Sequence, residues 1–292
     1  MKTFMPLILL GVGTAGIGGW YKFHHLKPKT LRQYLEWQGL RLISDSEANY
    51  WKAVLEENQE LIKKLDIGTS NIEGLKEWCK KHIDTESYED LKENASLLCV
   101  DNPKTVKARI IQLDGDISKL MSSGDDNKYK VAYVFRKHIN GFHDLIGYKP
   151  QIGNNGKELE DLPTASAAFK KWCEDSLKRG IEETLIFNVR TFCTPKSFSS
   201  ILELITQNGE SDLLLTNGNN ASDLSSKYES IKELDSWKED SENSARNVND
   251  LKKWCEENRD KNFYEKEVFS KVYPKFRFRC LKGSGDEKSL TL

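Results

Sequence analysis

The stretch LKKWCEEN at residues 251–258 has two near copies, LKEWCKKH at 75–82 and FKKWCEDS at 169–176. In each copy an apolar residue, a tryptophan and a cysteine stand at positions i, i+3 and i+4, which lie on one face of an α-helix. The pattern predicts three amphipathic helices whose buried face is formed by Leu75, Trp78 and Cys79, by Phe169, Trp172 and Cys173, and by Leu251, Trp254 and Cys255. Duplication of one structural module explains this recurrence more simply than three active sites do.

Other landmarks keep the same order around each copy. A proline, a lysine and a hydroxyl residue precede an amphipathic stretch, which predicts a helix capped by Thr or Ser, at Pro28-Lys29-Thr30, Pro103-Lys104-Thr105 and Pro195-Lys196-Ser197. Glycine readily adopts the left-handed conformation that ends a helix, so the ends of these first helices are predicted at Gly39, Gly115 and Gly209.

These landmarks predict a mainly α chain, with an N-terminal membrane helix followed by three tandem, related small helical modules that include short extended segments. The predicted boundaries are 1–27 for the anchor or signal, 28–100, 103–194 and 195–281 for the modules, and 282–292 for a flexible tail. Alternation of polar and apolar residues predicts short strands in LIFNVRTFC, residues 185–193, and in KFRFRC, residues 275–280. The spacing in YEDLKENASLLC, residues 88–99, predicts a helix instead.

Each module contains a second cysteine, which follows the first by 20, 20 and 25 residues. One pair per module, with no cysteine left over, predicts three local disulfides if the body faces an oxidising space. The predicted pairs are Cys79 with Cys99, Cys173 with Cys193, and Cys255 with Cys280. Buried free thiols are the alternative, whereas the absence of CxxC or HxxxH clusters disfavours a zinc site.

The N-terminus carries FMPLILLGVGTAGIGGW, 17 uncharged residues over 4–20. Such a stretch reaches the lower limit of the ~17–25 residues that cross a bilayer as a helix, so we expect a single-pass membrane anchor. A cleaved signal peptide is the alternative. Gly11, Ala15 and Gly19 stand four residues apart, a spacing that favours close approach and self-association of two anchors.

The charges that flank the anchor and the cysteines favour opposite orientations. Lys22, Lys27, Lys29 and Arg32 follow the apolar stretch, whereas Lys2 alone precedes it, and the positive-inside tendency would keep the body inside the cell. A very short leader and paired cysteines favour export, and the sequence is interpreted as that of a cell-membrane protein with an extracellular body.

The charge balance disfavours a nucleic-acid partner. The chain has 44 Lys and Arg against 45 Asp and Glu, and four of those lysines lie within residues 1–29, which leaves the body at 40 minus 45, or −5. A mildly acidic body lacks the basic face that contacts phosphates. The local basic cluster is interpreted as a solvated strand edge and comprises Lys271, Lys275, Arg277, Arg279 and Lys282.

The best catalytic candidates are His138, His143 and Asp144 in RKHINGFHDLIG. Two residues five apart on a helix differ by about 140° in direction, so the two imidazoles would not converge on one ion unless Gly141 breaks the helix. They are interpreted as ordinary histidines, and since no nucleotide, metalloprotease or hydrolase motif occurs in a suitable context, we expect no enzyme activity, no metal and no cofactor. The sequons at Asn94-Ala95-Ser96 and Asn220-Ala221-Ser222 are short enough to arise by chance.

The apolar Gly/Ala-rich N-terminus, a first helix ending in glycine, the pair Trp51-Lys52, LKxWC and a later cysteine together resemble the large paralogous membrane and surface protein families of haemotropic mycoplasmas. The match spans nearly the whole chain, although those proteins look like single modules, and VAYVFRKH at 131–138 replaces the Trp-Lys pair in module two. No catalytic residue follows from this resemblance. It implies a membrane-anchored, surface-displayed protein with an interaction or antigenic role; an inward-facing, membrane-tethered scaffold is the alternative.

Overall fold

A computed structural model of the chain describes residues 27–68, 71–154, 156, 158–242 and 245–283. These residues are mainly helical and form isolated β-bridges but no sheet, which confirms the predicted mainly α class. The predicted anchor over residues 4–20 and most of the predicted tail lie outside the described residues. Among the helices that are described, none combines the length and the apolar character needed to cross a membrane.

The chain divides into two compact units. Unit 1 contains the described residues up to Lys104 together with Ile111–Gly115, and unit 2 contains Thr105–Ile110 and the described residues from Asp116 onward. The predicted first module falls in unit 1 and the predicted third module in unit 2, whereas the predicted second module lies mostly in unit 2 but contributes residues 103–104 and 111–115 to unit 1.

Unit 1 is built on α1 Leu31–Trp37, α2 Ala48–Glu57, α3 Gln59–Lys64, α4 Ile72–His82 and α5 Lys92–Leu98. Its core is formed by the apolar faces of these short helices, and Leu31, Leu35, Leu75 and Leu98 are completely buried in it. The helix predicted within 88–99 is therefore present as α5.

The next helix is α6, Val106–Asp114. It is followed by α7 Asp126–Val134, α8 Phe142–Ile146, α9 Leu162–Lys178, α10 Glu183–Phe192, α11 Ile201–Gln207, α12 Ala221–Ile231, α13 Asp235–Asp240, α14 Val248–Arg259 and α15 Tyr273–Cys280. One hydrophobic cluster of unit 2 contains residues from both predicted modules. For example, the Phe135 ring packs edge-on against Phe198, Phe263 and Phe269, with centroid distances of 4.8–4.9 Å.

The starts and ends of the first helices follow the expected chemistry with one exception. Thr30 Oγ1 accepts from the Gln33 amide at the start of α1, and Gly39, Gly115 and Gly209 all have positive φ angles of +76°, +90° and +72°. The exception is Ser197, whose hydroxyl donates to Gln207 Oε1. The cap of α11 is instead Ser200, which forms a reciprocal capping box with Glu203.

The two predicted strands are wrong, because both stretches are helices. In 185–193, Leu185, Ile186 and Val189 are buried on one face of α10, while the alternating Phe187 is exposed. In 275–280, residues in nearly every direction around α15 are buried, so polar and apolar residues alternate without marking two faces of a sheet. Pro274 near the start of α15 also suits a helix, whose first turn needs no donor from that residue.

Candidate functional site

The three Trp-Cys helices, α4, α9 and α14, are each joined by a disulfide to the end of a later helix. The predicted pairing is confirmed: the Cα–Cα distances are 5.6 Å for Cys79–Cys99, 5.8 Å for Cys173–Cys193 and 5.7 Å for Cys255–Cys280. All six cysteines lie in the described part of the chain and none is free. In the chain-entropy model each bridge stabilises the folded state by roughly 3 kcal/mol, because it lowers the conformational entropy of the unfolded chain.

An equivalent backbone hydrogen bond lies near each of the three disulfides. The first residue of α1, α6 or α11 donates its amide to the carbonyl six residues after the first cysteine. The donor–acceptor pairs are Leu31 to Thr85 at 3.0 Å, Val106 to Arg179 at 2.9 Å and Ile201 to Lys261 at 3.1 Å. All three donor residues are completely buried, so the segment that follows each Trp-Cys helix is held against the start of a first helix by an equivalent hydrogen bond.

A second shared contact involves the other cysteine of each pair. A residue shortly after the first-helix glycine donates its amide to the cysteine carbonyl. These pairs are Ile43 to Cys99 at 3.1 Å, Met121 to Cys193 at 2.8 Å and Leu215 to Cys280 at 2.9 Å. In each set, the disulfide joins the Trp-Cys helix to the end of a later helix. One backbone hydrogen bond links the segment after the Trp-Cys helix to the start of the first helix, and the other links the second cysteine to the segment after the first helix.

The three tryptophans are less buried than the sequence pattern predicts. Trp78, Trp172 and Trp254 are each half-buried and pack at the edge of their core. The apolar residue and the cysteine, four positions apart, occupy the centre of the helical face, which leaves the tryptophan at its side. The neighbours of the indoles also differ, because Trp78 packs on the His82 ring at 4.9 Å and Trp254 on the Arg279 guanidinium at 4.8 Å.

The basic cluster near the C-terminus is not a solvated strand edge. Its five cations lie on or beside α15, and each has an acidic partner within unit 2. The pairs are Lys271–Glu267 at 2.7 Å, Lys275–Asp240 at 2.7 Å, Arg277–Glu210 at 2.7 Å, Arg279–Asp240 at 2.6 Å and Lys282–Asp223 at 2.9 Å. Each of the five positive charges therefore faces a carboxylate of unit 2, and Asp240 is shared by two of them.

Arg279 is a buried residue whose environment the sequence did not reveal. It is completely buried, and its guanidinium carbon lies 4.8 Å from the Trp254 ring centre and 5.4 Å from that of Trp237. Burial alone would raise the pKa of Asp240, but hydrogen bonds from Lys275 and Arg279 outweigh it and hold that pKa below its ordinary value. The third Trp-Cys helix thus packs against an ion pair.

The two candidate histidines, His138 and His143, contact different side chains. Tyr133 Oη donates to Glu158 Oε1 at 3.2 Å and lies 3.0 Å from His143 Nε2. His138 stacks instead on the Phe269 ring, and burial lowers its pKa. Asp144 is exposed. Within the described residues no group of three His, Cys, Asp or Glu side chains is placed to hold a metal ion.

The two sequon asparagines lie within structured segments. Asn94 is half-buried on α5, and the Ser96 hydroxyl donates to the Glu93 carbonyl. The Asn220 amide donates to the carbonyl groups of Asp212 at 3.0 Å and Leu214 at 2.8 Å. Both sequons therefore have local structural roles.

Comparison with protein-family models, with curated proteins and with solved structures found no match to the chain.

Proposed function

We propose that the protein is a membrane-anchored, surface-displayed interaction protein whose body consists of disulfide-bonded helical modules. The observation that carries this proposal is the pairing of all six cysteines into three local disulfides. Disulfides persist in oxidising spaces and are rare in reducing ones, which favours a body outside the cell membrane.

Three tandem modules, 28–100, 103–194 and 195–281, form part of the same proposal. The support is threefold: the repeated Trp-Cys sequence, the identical six-residue offset of the buried backbone contact, and the hydrogen bond to each second cysteine. A module that carries its own disulfide keeps its internal contacts while its loops diverge, which suits a role in protein recognition or as an antigen. We propose no catalytic residue, no cofactor, no metal and no nucleic-acid partner.

Attachment to the membrane is assigned to residues 4–20, with Gly11, Ala15 and Gly19 as a surface for self-association of the anchors. The resemblance to paralogous surface families of haemotropic mycoplasmas supports the same assignment. The basic flank after the anchor favours the second candidate, an inward-facing scaffold tethered to the membrane.

Protease treatment of intact cells separates the two candidates. If the body is displayed, the protease removes it from intact cells while a cytoplasmic marker survives. If the protein is an inward-facing scaffold, the protease does not cleave the body until the cells are permeabilised. As a matched control, a chain that lacks residues 1–26 leaves the membrane fraction; recovery of the full chain in the soluble fraction contradicts the anchor.

A further inference from the structure

Unit 2 contains a small cavity whose wall includes two lysines, Lys128 and Lys196. The cavity has a volume of about 260 Å³ and lies between the start of α7 and the segment that leads into α11. Its wall is apolar at Val131, Pro195, Phe198 and the ring of Tyr264, and Lys196 also lines it. Ligand cavities combine such apolar walls with a small number of polar groups, and this one has room for a small ligand.

Lys196 has no counterion among the described residues. Its ammonium makes neither a hydrogen bond nor an ion pair with them. It makes a cation–π contact with Phe135, in which Nζ lies 5.9 Å from the ring centre. Burial lowers the pKa of Lys196, and the positive charge of Arg136 lowers it further. A partly buried cation of this kind is unfavourable unless an anion accompanies it.

Arg136 is a buried cation close to the half-buried Lys196. It is 6% exposed and donates from Nη2 to the carbonyl groups of Thr194 at 2.7 Å and Thr191 at 3.3 Å. These carbonyl groups at the end of α10 offset part of its charge. Its Nη1 atom is buried and has no hydrogen-bond partner.

Two carboxylates lie in or near the cavity wall, and neither is paired with Lys196. Glu203 lines the cavity, but its carboxylate accepts from the amides of Ser199 and Ser200 at the start of α11. Asp125 pairs with Lys128, the second lysine in the cavity wall, at 2.8 Å. The buried Arg279 of the same unit, by contrast, has Asp240 as its direct partner. Lys196 and Arg136 therefore lie close together, and neither has a carboxylate partner among the described residues.

We propose that this cavity binds a small organic anion, a carboxylate with an apolar tail, whose charge lies against the Lys196 ammonium. The apolar wall takes the tail, since removal of apolar surface from water favours the complex. A hydrated inorganic anion would gain nothing from that wall. This binding site goes beyond the proposed surface display and does not depend on which side of the membrane the body occupies.

Protection of Lys196 from acetylation tests the proposal on the intact full-length protein. The probe is octanoate, kept below its micelle concentration, and acetylation of each lysine is followed by peptide mass spectrometry. We expect the Lys196 rate to fall about tenfold when octanoate is at about ten times its Kd, by mass action, while Lys232 reacts at its original rate. An unchanged Lys196 rate, or equal protection of Lys232, overturns the proposal.

Two further comparisons, with binding measured by calorimetry, test whether Lys196 and the negative charge of the ligand are required. Lys196→Gln should weaken octanoate binding at least about tenfold, whereas Lys232→Gln, which removes an exposed charge of the same unit, should leave it unchanged. Octylamine carries the same tail with the opposite charge and should not bind. Equal binding of octylamine, full binding by Lys196→Gln, or protection by inorganic phosphate alone contradicts the proposal. If Lys196→Gln does not fold, the protection experiment decides alone.

Discussion

Arg279 and Asp240 form an ion pair in unit 2, with Nη1 donating to Oδ2 at 2.6 Å while the arginine is completely buried. The same carboxylate oxygen accepts from Lys275 at 2.7 Å, so the last residue of α13 holds two cations of α15. One carboxylate thus neutralises a charge that α15 carries into the core beside Trp254.

Asp240→Asn is expected to lower the free energy of unfolding of unit 2 by about 3 kcal/mol, because removal of one partner leaves the buried Arg279 charge uncompensated. Urea denaturation measures the change. Glu229→Gln, which breaks the exposed pair with Lys232, is the matched control and should leave the midpoint unchanged. Similar midpoints for the two variants would show that the Arg279 pair is not a stabilising contact.

The effect of Asp240→Asn should depend on pH. Because the folded-state pKa of Asp240 lies below its ordinary value of 3.8, its ionised form stabilises the fold above that value, and this contribution is lost as the pH falls through the folded-state pKa. The stability difference between wild type and variant should be constant above about pH 5 and shrink in more acidic solution. A difference that widens below pH 4, in thermal denaturation across a pH series, contradicts the assignment.

The sequence predicted the elements that rest on local spacing. The i, i+3, i+4 pattern predicts the helices α4, α9 and α14. The position of one cysteine pair in each repeat predicts the disulfides, since the two cysteines of a pair are separated by only 20 or 25 residues. The glycine stops also depend on local backbone chemistry. In physical terms, these features need no knowledge of distant contacts.

Features that depend on distant contacts were missed. A helix that is buried on most sides, such as α15, has no amphipathic periodicity in its sequence. The alternation of polar and apolar residues in KFRFRC therefore predicts a strand where the structure has a helix. The burial of Arg279 depends on Asp240, which lies 39 residues away in sequence. Likewise, the cavity at Lys196 is assembled from residues between Asn127 and Tyr264. Spacing along the chain cannot reveal such partners.

His143→Ala is expected to lower the free energy of unfolding by about 1 kcal/mol, the usual contribution of one hydrogen bond, since the Tyr133 hydroxyl then keeps only Glu158. A double-mutant cycle with Tyr133→Phe measures the pairwise term by urea denaturation. Additive effects of the two substitutions would show that no such hydrogen bond forms in solution.

Gly209→Ala is expected to destabilise unit 2 by about 1 kcal/mol, because an L-residue is strained at its positive φ angle of +72°. An added Cβ would meet no atom within 4 Å, so the change reports backbone conformation alone. Gly218→Ala is the matched control: its Cβ also meets open space and its φ is not positive. Thermal denaturation should separate the two variants, and equal midpoints would contradict the left-handed helix end.

The oxidation state of the six cysteines in the living cell tests the central claim most directly. Cells are lysed in acid with an excess of alkylating reagent, and the protein is digested without reduction and analysed by mass spectrometry. The account predicts three cross-linked peptide pairs, with no alkylated cysteine, at Cys79–Cys99, Cys173–Cys193 and Cys255–Cys280. Recovery of the six cysteines as alkylated thiols would contradict it and favour the inward-facing scaffold, whereas pairs that join different modules would contradict the pairing within modules.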